Sequence, residues 1–218
     1  MPAPPYLPLF LDLAGRRCLV VGGGRIAEGR TRLLAAHGAV LRVVAPEISD
    51  GLSVMEAEGR VQEVRRRAFA PDDMDGVFLA LAATNHRDVN AKIAETARER
   101  GILCNVADDP KTSDVHIPAL VRRGDLALAI STGGASPAVT AGVRRRLEDV
   151  FGPEWGALLA LLGDLREATK QRYPQPSPRA DAVRTLLDDG HVLELLRAGK
   201  VDEARRYARV ALDLEGAV

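Results

Sequence analysis

The sequence predicts an α/β fold, a parallel sheet covered on both faces, followed by a small α+β region and an all-helical tail. Two observations carry this. Through the first half of the chain, short apolar runs rich in Val, Leu and Ala alternate with amphipathic segments, the pattern of strands buried on both faces and joined by crossover helices. Beyond Asp114 the alternation stops, and a hairpin pattern gives way to helix alone.

Arg17-Cys18-Leu19-Val20-Val21 reads as the first strand, and Gly22, Gly23 and Gly24 follow at once. From Arg25 to His37 the apolar residues Ile26, Ala27, Leu33, Leu34 and Ala36 fall at helical spacing. Strand, glycine turn and helix fit G-x-G-x-x-A at Gly22, Gly24 and Ala27, the arrangement that seats a dinucleotide pyrophosphate on a helix amino terminus. Gly22 permits the turn, Gly24 lets the pyrophosphate reach the main chain, and Ala27 lets helix and sheet pack closely. Glycines also mark ordinary turns; the flanking strand and helix favour the dinucleotide site.

The second strand, Val40 to Val44, ends at Ala45-Pro46-Glu47. In dinucleotide folds an acidic residue roughly 20 positions past the glycines takes the adenosine ribose hydroxyls. Glu47 stands in about that place and favours NAD over NADP, although it reads equally as a solvated carboxylate opening the next helix. Arg42 lies inside the strand and is discounted as an NADP contact. A short helix from Ser49 to Glu58 stops at Gly59, and Val61 to Val64 forms a strand leading into Arg65-Arg66-Arg67. Val77 to Ala83 is a strand closing on Thr84-Asn85. A helix from Asp88 to Arg100 stops at Gly101, and Ile102 to Val106 is the last strand of the series. Because ligands bind beyond the carboxyl ends of such strands, residues 22–27, Pro46–Glu47, Thr84–Asn85 and 107–109 are expected to line one crevice.

After Asp114, Val115 to Val121 and Leu126 to Ile130 read as antiparallel strands joined by Arg122-Arg123-Gly124-Asp125. Ser131-Thr132-Gly133-Gly134 leads to Ser136-Pro137, an N-cap with proline at the first helical position, and that helix runs to about Val150. Pro174-Gln175-Pro176-Ser177-Pro178 reads as a rigid break, with helices at 181–189, 191–197 and 201–214 beyond it. The expected division is therefore 1–113, 114–150 and 151–218.

The chain carries 30 basic and 30 acidic residues among 218, so no global field recruits nucleic acid or a membrane. It has no apolar run of the ~18 residues needed to span a bilayer. Tyr6 to Leu13 is apolar but short, interrupted by Pro8 and Asp12, and lacks the basic flank of a signal peptide. Cys18 and Cys104 fall in predicted strands with no metal-ligand spacing, as reduced core thiols of a cytoplasmic protein would. The four histidines form no H-x-x-H or H-E-x-x-H pair, so no metal site is expected.

Asn105-Val106-Ala107-Asp108-Asp109-Pro110 carries the chemistry. A carboxylate at the end of a buried strand, facing a nicotinamide, can accept a proton as hydride leaves. Partial burial and a like-charged neighbour would raise its pKa toward the working range. On spacing alone the residues read more readily as an Asp-Asp-Pro turn.

The chain resembles the siroheme-forming precorrin-2 dehydrogenases, a family that includes stand-alone enzymes, dehydrogenase–ferrochelatases and the amino-terminal half of siroheme synthase. The resemblance rests on Tyr6 to Leu13, Cys18 to Ala27, Ala45-Pro46-Glu47, Ala82-Ala83-Thr84-Asn85, Cys104 to Pro110, Ile117-Pro118-Ala119 and Ala129 to Pro137. It implies a Rossmann-like domain and NAD-dependent oxidation of precorrin-2 to sirohydrochlorin, toward siroheme or cobalamin. In some members ferrous iron is then inserted. It makes Asp108 the proton acceptor and Asp109 the turn residue. It assigns cofactor contacts to Gly22, Gly23, Gly24, Arg25, Ile26, Pro46 and Glu47, with Thr84 and Asn85 beside them. It also implies a homodimer, formed through about 114–150, with Ser131 and Thr132 near the active-site mouth. The implied substrate is a tetrapyrrole bearing eight carboxylates, for which Lys111, Arg122-Arg123 and Arg144-Arg145-Arg146 are candidate cations. His116 departs from the family pattern and is a candidate substrate contact or an ordinary strand histidine. An NAD(H)-sensing module without catalysis is the reading from another class, since fold alone does not fix function.

Overall fold

A computed structural model describes residues 6–107 and 109–214, which fall into two compact units dividing between Ile117 and Pro118. In the first unit, strands β1 (Arg17–Val21), β2 (Val40–Val44), β3 (Glu63–Arg65), β4 (Leu79–Ala82) and β5 (Leu103–Val106) form one sheet. The order is β3-β2-β1-β4-β5, and every pairing is parallel. The helices are α1 (Arg25–Ala35), α2 (Asp50–Ala57) and α3 (Arg87–Glu99). Strand β1 is flanked by β2 and β4, so the chain reverses its direction of winding at β1, which is where open α/β sheets bind ligands. Val21 is level with Val44 on one side and Ala82 on the other, and Ala82 with Val106. The loops that follow these strands therefore leave the sheet at one edge.

Burial explains why β1 reads as continuously apolar. Cys18 and Val20 pack with Leu41, Val43, Leu79 and Leu81 beneath Ala27, Leu34, Leu52 and Met55 of α1 and α2. Leu19 and Val21 face the other way, packing with Ala80, Ala82 and Cys104 against Ile93, Ala94 and Ala97 of α3. With both faces covered, polar alternation has no place. Burial pushes the Cys18 thiol up to about 11 and, with Asp114 adding to the effect, Cys104 up to about 12, so both stay unreactive thiols.

Strand boundaries shift from the sequence expectation because pairing partners set them. The ladder of β3 with β2 begins at Arg42 opposite Glu63, so Val61 precedes the strand and serves the core instead. Strand β4 is shorter than 77–83, although Phe78 N–H and Ala83 N–H still donate to Arg17 and Val21 carbonyls at its two ends.

The second unit opens with the antiparallel hairpin β6 (Ala119–Arg123) and β7 (Leu126–Ile130). Its loop is only Gly124-Asp125, with Gly124 at φ +57°, a left-handed value that suits a two-residue hairpin connection. The first strand does not begin at Val115, because residues 113–115 are already engaged along β5. Asp114 N–H donates to the Cys104 carbonyl and Val106 N–H to Ser113 Oγ. Helices α4 (Pro137–Val150), α5 (Glu154–Asp164), α6 (Arg166–Arg172), α7 (Pro176–Asp188), α8 (His191–Arg197) and α9 (Val201–Ala211) follow. Leu158, Leu161, Leu165, Leu186, Val192, Leu196, Ala204, Ala208 and Leu212 make the core of the helical part. The proline-rich segment is a correction: only its start is a break, because α7 begins at Pro176 with Gln175 as N-cap. First-turn residues have no intrahelical acceptor for their N–H groups, so Pro176 and Pro178 cost the helix no hydrogen bond. Among the described residues, no helix is long and apolar enough to cross a membrane.

A charged cluster ties β2 and β3 to the 3₁₀ turn Pro71–Met74. Asp73, fully buried, accepts from Arg65, from Arg67 through both carboxylate oxygens, and from the Ala70 N–H. Arg42, 7% exposed, bonds Glu63 at 2.6 Å and the Asp73 carbonyl at 2.8 Å. Burial alone would raise the Asp73 carboxyl, but bonds from Arg67, Ala70 and Arg65 outweigh it and hold it below the ordinary aspartate range. A depressed carboxyl stabilises the fold fully above its unfolded pKa and loses that contribution as pH falls through the folded value. Asp73→Asn should therefore cost about 2–4 kcal/mol in neutral denaturant melts. The variant should also lose less stability between neutral and acid pH than the parent; an equal loss would place the acid-sensitive group elsewhere.

Candidate functional site

The edge of the sheet where the strands end is assembled by main-chain contact. Gly22 has φ +131°, and a Cβ there would lie 2.4 Å from the Ala83 carbonyl oxygen after β4. A Cβ on Gly23 would lie 1.8 Å from the Glu47 carbonyl oxygen after β2. The Ser49 N–H donates to the Gly23 carbonyl at 2.8 Å, and the Gly22 N–H to the Val44 carbonyl at 2.9 Å. Gly22 and Gly23 are thus required by the fold, since three loops converge where no side chain fits.

Gly24 differs. Its backbone is extended, at φ −86° and ψ −173°, which any residue adopts, and nothing lies within 4 Å of where its Cβ would be. It is the N-cap of α1 yet supplies no side-chain cap. The first N–H groups of a helix lack partners within it, so α1 presents uncapped donors and positive potential to open space. Arg25 and Ile26 are exposed there, Ile26 by 48%. A glycine that the fold does not require, before an uncapped helix, is a cradle suited to a diphosphate.

The adjoining loop is fixed by a pair that the sequence reading missed. Ser49 Oγ donates to Glu28 Oε2 at 2.7 Å and caps α2 by accepting from the Leu52 N–H. The Ser49 hydroxyl and the Arg32 guanidinium hold the Glu28 carboxyl below its ordinary range. Pro46 and Glu47, both exposed, are carried on the loop between Gly23 and Ser49. The Ser-x-x-Leu start of α2 signals its cap, but nothing in the spacing signals the bond to Glu28. Arg42, turned into the Asp73 cluster, does not reach this loop.

After β4, Thr84 is locked by Asn90 of α3, whose Oδ1 accepts from the Thr84 N–H and hydroxyl and whose Nδ2 donates to the Thr84 carbonyl. Asn85 is exposed. After β5, the Ala107 N–H donates to the Ala82 carbonyl, and Ser113 Oγ bonds Val106 and the Asp109 carbonyl. Asp109 Oδ1 accepts from the Lys111 N–H, capping the 3₁₀ turn Pro110–Thr112 as a turn residue does. Asp108 lies outside the described residues.

Of the remaining sequence candidates, His116 lies against Tyr6 with ring centroids 4.0 Å apart and planes tilted by 40°. Its Nε2 is buried without a hydrogen-bond partner among the described residues. Ser131 and Thr132 belong to the second unit. There Ser131 Oγ accepts from the Gly133 N–H, and Thr132 Oγ1 lies 3.0 Å from Thr140 Oγ1. Arg123 is committed to the Glu148 and Phe151 carbonyls, and Arg144 to Glu148. Among the described residues, no group of three or more His, Cys, Asp or Glu could hold a metal ion.

Three family models match the chain in succession. One described as "Putative NAD(P)-binding" covers residues 9–119, "Sirohaem biosynthesis protein central" covers 123–149, and "Sirohaem synthase dimerisation region" covers 154–212. The siroheme synthase of Chromobacterium violaceum is 37% identical over 98% of this chain and 46% of its own length. That of Pseudomonas fluorescens is 39% identical over 92% of this chain and 43% of its own. The chain thus spans just under half the length of these relatives. A solved structure described as SirC, precorrin-2 dehydrogenase, matches with a TM-score of 0.76 at 31% identity, over 94% of this chain and 99% of that one.

The three glycines separate by experiment. Gly23→Ala and Gly22→Ala should each destabilise the chain by more than about 2 kcal/mol, because main chain must move. Gly24→Val should melt within a few degrees of the parent while losing NADH binding, read by nucleotide fluorescence. Full binding by Gly24→Val would remove the diphosphate from this cradle.

Proposed function

The chain belongs to the precorrin-2 dehydrogenase family, and we propose that it catalyses the NAD-dependent oxidation of precorrin-2 to sirohydrochlorin in siroheme biosynthesis. The observation that carries this reading is the open Gly24 cradle at the uncapped start of α1, in a chain that matches SirC over nearly its whole length. Bound NAD would supply the hydride acceptor. The N–H groups of the first turn of α1 hold its diphosphate, and Glu47 takes the adenosine ribose hydroxyls. Pro46, Ile26, Thr84 and Asn85 wall the same crevice.

Oxidation removes a hydride and a proton from the macrocycle, so the chain must supply a base. Asp108 is that base in this reading. Support comes from its place in the sequence between Ala107, hydrogen-bonded to the end of β4, and Asp109, which is occupied in capping its own turn. Ferrous iron enters as a second substrate where the family's chelatase activity accompanies oxidation.

The reading includes three parts, 1–113, 114–150 and 151–218, working as a homodimer in the cytoplasm. The dimerisation-region match to 154–212 supports self-association, beyond the 114–150 segment to which the sequence resemblance attached it. Helix α4 adds support, with Val139, Val143 and Val150 exposed at 55%, 37% and 61% and spaced along one side. Two buried free thiols suit a reducing compartment.

Incubation with precorrin-2 and NAD⁺ should produce NADH and sirohydrochlorin together. Asp108→Ala should bind NADH as the parent does and lose at least about a hundredfold in turnover. Parent-like oxidation by that variant would remove Asp108 from the chemistry. Nucleotide binding without NADH formation in the parent would favour a sensing module.

A further inference from the structure

A cavity of about 440 Å³ opens between the amino end of α3 and the turn after β5, lined by Arg87, Asn90 and Ala91 on one element and by 106–107 and 109–112 on the other. Arg87 and Lys111 make no ion pair among the described residues, whereas Arg32, Arg42, Arg65, Arg66, Arg67 and Arg100 of the same unit each pair with a carboxylate. Among the described residues of the lining the one acid is Asp109, whose Oδ1 accepts the Lys111 N–H. His86, the N-cap of α3, offers no side-chain cap, so the helix adds positive potential to the two cations. Asn90, 7% exposed, keeps the wall rigid through its bonds to Thr84.

Size narrows the occupant. At roughly 30 Å³ per water the cavity holds on the order of fifteen waters, far more than one inorganic ion needs. A flexible arm ending in an anion suits it better, and the open cradle for a diphosphate lies elsewhere, at Gly24. We propose that this cavity receives one carboxylate arm of the polycarboxylate macrocycle, gripped by Arg87 and Lys111. The inference rests on the dehydrogenase reading for the identity of that macrocycle. Anchoring one arm at the carboxyl end of β5 would fix which carbon the macrocycle presents to the nicotinamide.

The test uses the full chain with Arg87→Gln, Lys111→Gln and the double variant, and with Arg87→Lys as a charge-retaining control. Uroporphyrin, an octacarboxylate, serves as a fluorescent probe beside NADH, and precorrin-2 as substrate. Each neutral variant should weaken uroporphyrin binding and raise the KM for precorrin-2 about five- to tenfold, the double variant more. NADH affinity and melting temperature should hold, and Arg87→Lys should retain most of the binding. Weakened NADH binding with unchanged uroporphyrin binding would assign the cavity to the coenzyme and overturn the proposal. No change in either ligand would leave it without an anion and overturn it equally. Uroporphyrin binding that depends on both residues, in a parent protein unable to reduce NAD⁺ with precorrin-2, would sustain the anion site while removing the dehydrogenase reading.

Discussion

The first unit depends on a contact in which no side chain takes part. Gly22 and Gly23 bring the main chain after β1 against the carbonyls of Ala83 and Glu47, so the loops leaving β1, β2 and β4 meet at the sheet edge. Apolar burial builds the sheet and would tolerate many side chains of similar volume. The glycine contact tolerates none. It is also what turns α1 so that its uncapped end faces the space between those loops, with Gly24 left bare.

Around that contact, polar pairs convert a meeting of loops into a rigid frame. Glu28 with Ser49 joins α1 to the start of α2, Asn90 holds Thr84, and Ser113 closes the turn after β5. Each pair links an element of the sheet layer to a loop that would otherwise be free. Their neutral bonds are worth about 1 kcal/mol apiece and the one to the Glu28 carboxylate about 2, so they matter less as stability than as positioning. A site that must bring two bound groups into reacting distance depends on positioning of this kind.

Much of this was legible in the sequence because it follows from periodicity. The five parallel strands, their helices and the capped start of α4 at Ser136 are all visible as apolar runs, turn residues and caps. Strand edges were less legible, since β3 starts where Arg42 meets Glu63 and not where the hydrophobic run begins. The start of α7 was misread because prolines break helix interiors but are harmless in a first turn. At the sheet edge, the glycine turn between β1 and α1 could be read directly. Glu28–Ser49 and Thr84–Asn90 could not, because a bond across 21 residues or between a loop and the next helix leaves no local spacing. That Arg87 and Lys111 line one cavity was hidden for the same reason, since the fold brings them there from distant parts of the chain.

The charge balance acquires a different meaning once the pairs are placed. Thirty cations against thirty anions suggests a molecule with no electrostatic preference. Yet the cations are not equally available. In the first unit, a cluster of arginines at β2 and β3 is consumed by Asp73 and Glu63, where it ties the sheet to the loop after β3. Arg25 and Arg87, at the uncapped starts of α1 and α3, and Lys111 after β5 are among the cations that make no ion pair among the described residues. A neutral chain can in this way hold polyanionic ligands without a basic surface, since spending its arginines on its own carboxylates elsewhere leaves the attraction local and short in range.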